Sequence, residues 1–223
     1  MATEKTRKKI VESFMTLAAA KSWDEMTLPV VAEAAGVDLA TLRDAYDGRI
    51  KIVEDFARRI DTAVLKQGSD DMAGEPARDR LFDVLMTRLD HLAPYRDALR
   101  NLMCAAKRDP MLAAAFNRIA VVSQGWMLAA AGIDSSGTSG LIKAQGLAVG
   151  FARVVAVWLD EEDPDLPKTM AALDRELNRG QRALRAVDKI ACLVPDRFRP
   201  AGFGKRCKKS EAKEPDAPAE TAA

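Results

Sequence analysis

Histidine is nearly missing from this 223-residue chain: His91 is the only one. A Ser-His-Asp or Cys-His catalytic unit would have to be built on it, and neither Ser69 nor Cys104 has a motif around it. Cysteine is scarce as well. Cys104, Cys192 and Cys207 lack metal-ligand spacing, and an odd count does not suggest a disulfide framework. A reducing, cytoplasmic setting is the expectation. Net charge is almost absent, at +1, which argues against a strong overall pull toward nucleic acid or an anionic membrane but leaves room for a local patch. The segment Met1 to Lys9 is charged and has no apolar core of a secretory leader. The longest apolar stretch, Ala144 to Leu159, is interrupted by Gln145 and Arg153, so it reads as a buried core helix rather than a membrane span. Strand-like alternation never lasts beyond three or four residues, and no internal repeat is visible. These absences predict a non-enzyme without metal or cofactor.

What is present is apolar residues, 48% of the chain and enough for a sizeable core, placed at helical spacing nearly throughout. Ile10, Phe14 and Leu17 mark a first helix that starts among Lys5, Arg7, Lys8 and Lys9. Thr27 suits an N-cap and Pro29 a first turn, so a short second helix begins there; Gly36 ends it. Asp38 can cap a third short helix whose inward face is Leu39, Leu42 and Tyr46. Asp47-Gly48 is a turn, and a fourth helix runs from about Arg49 with Ile50, Val53, Phe56, Ile60 and Val64 on its stripe.

The spacing therefore predicts an all-α protein of four parts. Residues 1–48 form a helix-turn-helix head, and 49–75 a connecting helix and polar linker. Residues 76–190 form a larger helical body, and 191–223 a disordered tail with a basic cluster at Lys205 to Lys209. That cluster offers a peripheral contact to an anionic membrane or to nucleic acid. Pro94 and Pro110 divide the body helices, and Gly132 to Gly140 is a loop of small residues. Asp160, Glu161, Glu162 and Asp163 lack the pattern of a calcium loop, so their expected role is favourable charge near the start of the last helix.

The stretch TLPVVAEAAGVDLATLRDAYDGRIKIV resembles the head of the TetR family of regulators. The resemblance rests on Thr27, Ala32, Ala35, Gly36, Val37, Ala40, Thr41, Leu42, Tyr46, Arg49, Ile52 and Val53. It implies a TetR-type fold, a three-helix head on a larger ligand-binding and dimerisation body, and binding to a palindromic DNA operator. It also implies DNA contacts from Thr27, Ala40, Thr41, Arg43, Tyr46, Arg49 and Lys51, with Arg49 in place of the family's phosphate-binding lysine. Arg43 stands where the family carries tyrosine, and Asp44 follows it on the reading helix. From Thr27 to Lys51 the bases Arg43, Arg49 and Lys51 face four acids, Glu33, Asp38, Asp44 and Asp47. Weak non-specific DNA affinity is expected unless the basic arm compensates.

The body is similar to a second family, the TetR-fold lipid-binding accessory protein of ubiquinone biosynthesis. Arg88-Leu89, Leu92, Pro94-Tyr95, Trp126, Ala131-Gly132, Trp158, Asp160, Pro164-Asp165, Thr169 and Leu173 carry that likeness, between Arg80 and Leu177. That family's aromatic, arginine-containing motif is absent around Leu141 to Gly146. Both likenesses imply a hydrophobic small molecule or lipid within the body. The expected lining is Met86, Leu89, Leu102, Met103, Phe116, Trp126, Met127, Phe151 and Trp158, where methionine and aromatic rings suit an adaptable pocket. The apolar run Leu141 to Leu159 also implies a two-fold homodimer. Two functions follow from the sequence. The first is a ligand-controlled transcriptional regulator; the alternative is a lipid-binding accessory protein whose head no longer reads DNA.

Overall fold

The computed structural model describes residues 2–67 and 74–193, with side chains as far as residue 184. The described residues are helical and contain no strand. The head consists of α1 (Glu4–Ala20), α2 (Leu28–Ala35) and α3 (Leu39–Ala45). Helix α1 is capped by the Thr3 hydroxyl oxygen, which accepts from the Thr6 amide at 3.2 Å. Helix α2 ends where Gly36 takes the left-handed conformation at φ 57°, its amide returning to the carbonyls of Ala32 and Glu33. The Asp38 carboxylate then caps α3 by accepting from the Thr41 amide at 2.6 Å. Ile10, Phe14, Ala18, Val31, Ala35, Leu42 and Ile52 close the head's core.

Helix α4 (Arg49–Gln67) leaves the head and packs along the body. The body comprises α5 (Ala77–Leu92), a 3-10 turn at Ala93–Tyr95, α6 (Arg96–Arg108), α7 (Pro110–Ala130), α8 (Gly137–Asp160) and α9 (Pro167–Leu193). Pro94 lies in the 3-10 turn and Pro110 opens α7 behind its cap, Asp109, where a missing N–H costs little. Helix α8 is long and apolar enough to cross a membrane by length and composition. Here it packs between α7 and α9 and buries Ala144, Ala148, Phe151, Val154 and Trp158. A β-carbon at Gly140 would fall 2.0 Å from the Ser135 carbonyl, so only glycine lets the preceding loop cross α8 there.

The acidic turn has the structural role expected of it. Glu161 accepts from the amides of Lys168 and Thr169, both at 2.7 Å, and from the Thr169 hydroxyl at 2.5 Å. Burial pushes its carboxyl pKa up, but these hydrogen bonds outweigh burial and hold it below the usual range. Helix α9 runs on to Leu193, past the expected tail boundary at residue 191. The remainder of that tail, with its basic cluster, lies outside the described residues.

Head and body are joined by more than the chain. Helix α1 packs on α6, and the Asn101 amide donates to the carbonyls of Ala18 and Ala19 at 2.9 and 3.2 Å. Trp23, in the loop after α1, meets Phe14 edge-on at 6.2 Å and Phe116 of α7 at 5.7 Å. Asp61 of α4 pairs with Arg88 of α5 and accepts from the Ser123 hydroxyl of α7 at 2.7 Å. Arg88 and Gln124 are 6% and 2% exposed, so a polar node lies inside an otherwise apolar body.

Candidate nucleic-acid interface

Helix α3 turns Leu42 and Ala45 into the head and leaves Leu39, Ala40, Arg43 and Asp44 outward. Leu39, expected on the inward face, is instead 52% exposed, because Leu42 and Ala45 fill the side of α3 that meets the head. Leu39 and Ala40 stand four and three residues before Arg43, so the three share one face. Arg43 forms an exposed ion pair with Asp47, one turn on. That contact lowers the Asp47 carboxyl pKa, chiefly through the hydrogen bond from Arg43. Asp44 engages the arm instead: the Ala2 amide donates to it and the charge of Arg7 lies near it.

Thr27 occupies the cap position of α2, yet its side chain makes no capping hydrogen bond. Its hydroxyl and the first amides of α2 are therefore available to an outside acceptor such as a phosphate oxygen. The start of α3 differs, because Asp38 already occupies it. Lys9 brings its ammonium beside Gly36, at the turn between α2 and α3. Lys5 and Lys9 are exposed and make no ion pair among the described residues, whereas Lys8 pairs with Glu12 at 3.7 Å.

The seven residues expected at DNA therefore divide. Ala40 and Arg43 share the outward face of α3, and Thr27 stands exposed at the start of α2. Thr41 is half-buried, with its amide held by Asp38. Lys51 is exposed and pairs with Glu54 at 2.7 Å. The structure turns the other two inward. Tyr46 is buried, donates its hydroxyl to Asp55 at 2.5 Å and lies beneath the Arg7 guanidinium at 5.1 Å. Burial, reinforced by Asp55, pushes its phenol pKa well up. Arg49 stacks on the Trp23 ring at 4.3 Å and donates to the carbonyls of Trp23 and Met26. Burial lowers the guanidinium pKa of Arg49. Arg49 thus clamps the α1–α2 loop onto α4. Its position in the sequence matches a phosphate-binding residue, but its orientation does not.

In the body, eight of the nine expected lining residues belong to the apolar core or pack against it. Trp126 does not. It is 56% exposed, beside Val122 at 62%, on the outer side of α7. That helix turns Ser123 and Gln124 inward together with Met127 and Leu128. Arg88 Nε and Gln124 Oε1 have no hydrogen-bond partner among the described residues. Sequence reasoning passed over Asp61, Ser123 and Gln124 and named Arg88 only as part of a family likeness; the available signal was a charged or polar residue interrupting an apolar stripe. A cleft of about 440 Å³ lies elsewhere, on the exposed side of α9, lined by Asp174, Arg175, Asn178, Arg179 and Arg182.

This arrangement is shared with solved structures. The chain is similar to a TetR transcriptional regulator from Nitrosomonas europaea, with a TM-score of 0.62 and 21% identity, covering 80% of this chain and 99% of the other. It is similar also to a TetR transcriptional regulator from a Rhodococcus species, with a TM-score of 0.54 and 18% identity, covering 79% and 96%. No family model matches the chain, and no curated protein matches it. At these identities the likeness establishes the fold: a TetR-type helix-turn-helix head on an all-α body.

Proposed function

We propose that this protein is a dimeric transcriptional regulator that holds a palindromic DNA operator with two copies of its α1–α3 head and is controlled by a hydrophobic ligand in its body. The observation that carries this reading is the outward face of the head. It sets Leu39, Ala40 and Arg43 of α3 beside the uncapped start of α2 at Thr27 and the unpaired Lys5 and Lys9. An exposed helix face on a head that also carries phosphate donors is what major-groove recognition requires. Resemblance of the fold to regulators supports the same reading. The ion pairs that occupy Arg43 and Lys51 are exposed, so each contributes little and is open to exchange for phosphate. The cytoplasm is the compartment such a function needs.

The dimer is assigned to α8 and α9, where Leu141, Ile142, Val149 and Met170 are exposed apolar side chains. The ligand is assigned to the body interior around Leu89, Leu102, Met127, Phe151 and Trp158. The polar node supports that placement, since Arg88 Nε has a spare donor and Gln124 Oε1 a spare acceptor for the polar end of a ligand. The test is binding of the purified dimer to its own upstream DNA against a scrambled duplex at two salt concentrations. Specific binding that survives the higher salt and falls on Arg43→Ala is the expected result. Equal binding to both duplexes overturns the reading.

One observation favours a second reading, a lipid-binding accessory role in isoprenoid-quinone metabolism. The three bases between Thr27 and Lys51 are all engaged within the head, and Val122 and Trp126 form an apolar pair open to solvent. Mass spectrometry of a gently extracted sample separates the two readings: a stoichiometric lipid together with no operator binding selects the accessory role.

A further inference from the structure

We propose that α3 reads a DNA half-site in which a thymine lies about two base steps from a G·C pair, the thymine methyl received by Leu39 and the guanine edge by Arg43. This rests on the regulator reading and gives the operator a chemistry. The core of the head is closed by Leu42 and Ala45 on the other side of α3, so packing does not require Leu39, which is 52% exposed. In the major groove the thymine C5-methyl is the apolar group that such a surface can meet. Arg43 follows on the same face by about 6 Å along the helix, or roughly two base steps, and its guanidinium matches guanine O6 and N7. The sequence of α3, Leu-Ala-Thr-Leu-Arg-Asp-Ala, contains no asparagine or glutamine. The bidentate amide contact that reads adenine is therefore not available from this helix. The apolar contact of this helix therefore senses an A·T pair from its thymine side.

Asp47 has a separate role. Its exposed ion pair with Arg43 must open before Arg43 reaches a base. Arg43 must leave it for a guanine edge or for a phosphate, so Asp47 lowers affinity for selected and for scrambled duplexes.

The experiment is selection of duplexes from a random pool by the full-length protein. Competition binding of the recovered duplex then compares it with a form carrying deoxyuridine for thymine in both half-sites. Leu39→Ala, Arg43→Ala and Asp47→Asn alter exposed side chains, and circular dichroism checks that each variant keeps its helices. Half-sites containing thymine and guanine are expected. Loss of the methyl is expected to weaken binding by about fourfold per half-site, the effect of one buried methylene-sized group. Leu39→Ala should bind the thymine and uracil forms alike. Arg43→Ala should reduce discrimination at the G·C pair by at least about fivefold. Asp47→Asn should tighten binding to selected and scrambled duplexes together. A recovered duplex indifferent to the methyl, or a Leu39→Ala protein that still discriminates, overturns the proposal while leaving the regulator intact. A pool that yields no preferred duplex overturns both.

Discussion

Head and body solve opposite problems with side chains of the wrong polarity. The head takes polar groups inward: Arg49 is folded onto Trp23, and Tyr46 donates to a buried Asp55. The body puts apolar groups outward: Val122 and Trp126 on α7, and Leu141, Ile142 and Val149 on α8. In the head the inward polar groups are fully used, each fixing one helix or loop against another. In the body the outward apolar groups have no use within a single chain. Inward polar groups therefore mark internal architecture in the first region, and outward apolar groups of α8 in the second mark the face assigned above to a partner copy.

The largest effect should come from breaking the ion pair that the body buries between α4 and α5. Arg88→Met leaves Asp61 unpaired in the interior and is expected to cost about 3–5 kcal/mol, read by urea denaturation. Replacing both, Asp61→Leu with Arg88→Met, should recover most of that loss. A single substitution costing less than about 1 kcal/mol would mean that the node is hydrated and carries no structural load. Next in size is Val149→Asp, which puts a charge into the face assigned to the partner copy. It should weaken the dimer at least about tenfold in sedimentation equilibrium while the monomer remains folded. An unchanged dimer would move the interface off α8.

The head responds to acid rather than to dilution. Tyr46→Phe removes the donor to Asp55 and is expected to cost about 1 kcal/mol. Burial raises the Asp55 carboxyl pKa, but the Tyr46 hydroxyl, Arg58 and Arg59 overcome it and hold the folded value below the ordinary one. The unfolded chain therefore takes up this proton at a higher pH than the folded one. Stability from Asp55 is complete above about pH 4 and is lost as the pH falls through its lowered folded value. Denaturation at descending pH should show the gap between the native protein and Asp55→Asn closing. Smallest of all, Trp126→Ser should change monomer stability by no more than about 0.5 kcal/mol, because the ring is mostly in solvent. A large loss would place Trp126 in the core after all.

These contrasts also mark how far the sequence could be read. The head's helices were legible because Thr27, Pro29, Gly36 and Asp38 are local signals, each acting within one turn. Pro94 and Pro110 were legible for the same reason. The inward turn of Arg49 was not, since its partner is a tryptophan 26 residues away whose ring and carbonyl offer no charge to match. Helix α7 shows the other limit. It carries apolar residues on both sides, so periodicity favours neither face, and a stripe through Phe116, Ile119, Val122 and Trp126 fits helical spacing as well as the buried one does. The choice is marked by Asp61, which accepts from the Ser123 hydroxyl on the inward side of α7 and so leaves Trp126 on the outside.

Helix α4 is also a lever. It is one unbroken element of 19 residues, with Arg49 fixed in the head and Asp61 fixed in the body node. From Asp61 to Arg49 is about 18 Å along the axis, at 1.5 Å per residue. A tilt of about 10° about the node would carry the head end about 3 Å, and two heads swinging apart would separate by about twice that. Half-sites on DNA lie one helical turn apart, roughly 34 Å, and tolerate little error in spacing. For the regulator proposed above, a side-chain rearrangement at Arg88, too small to alter the body's outline, would thus be geared up into a misfit on DNA.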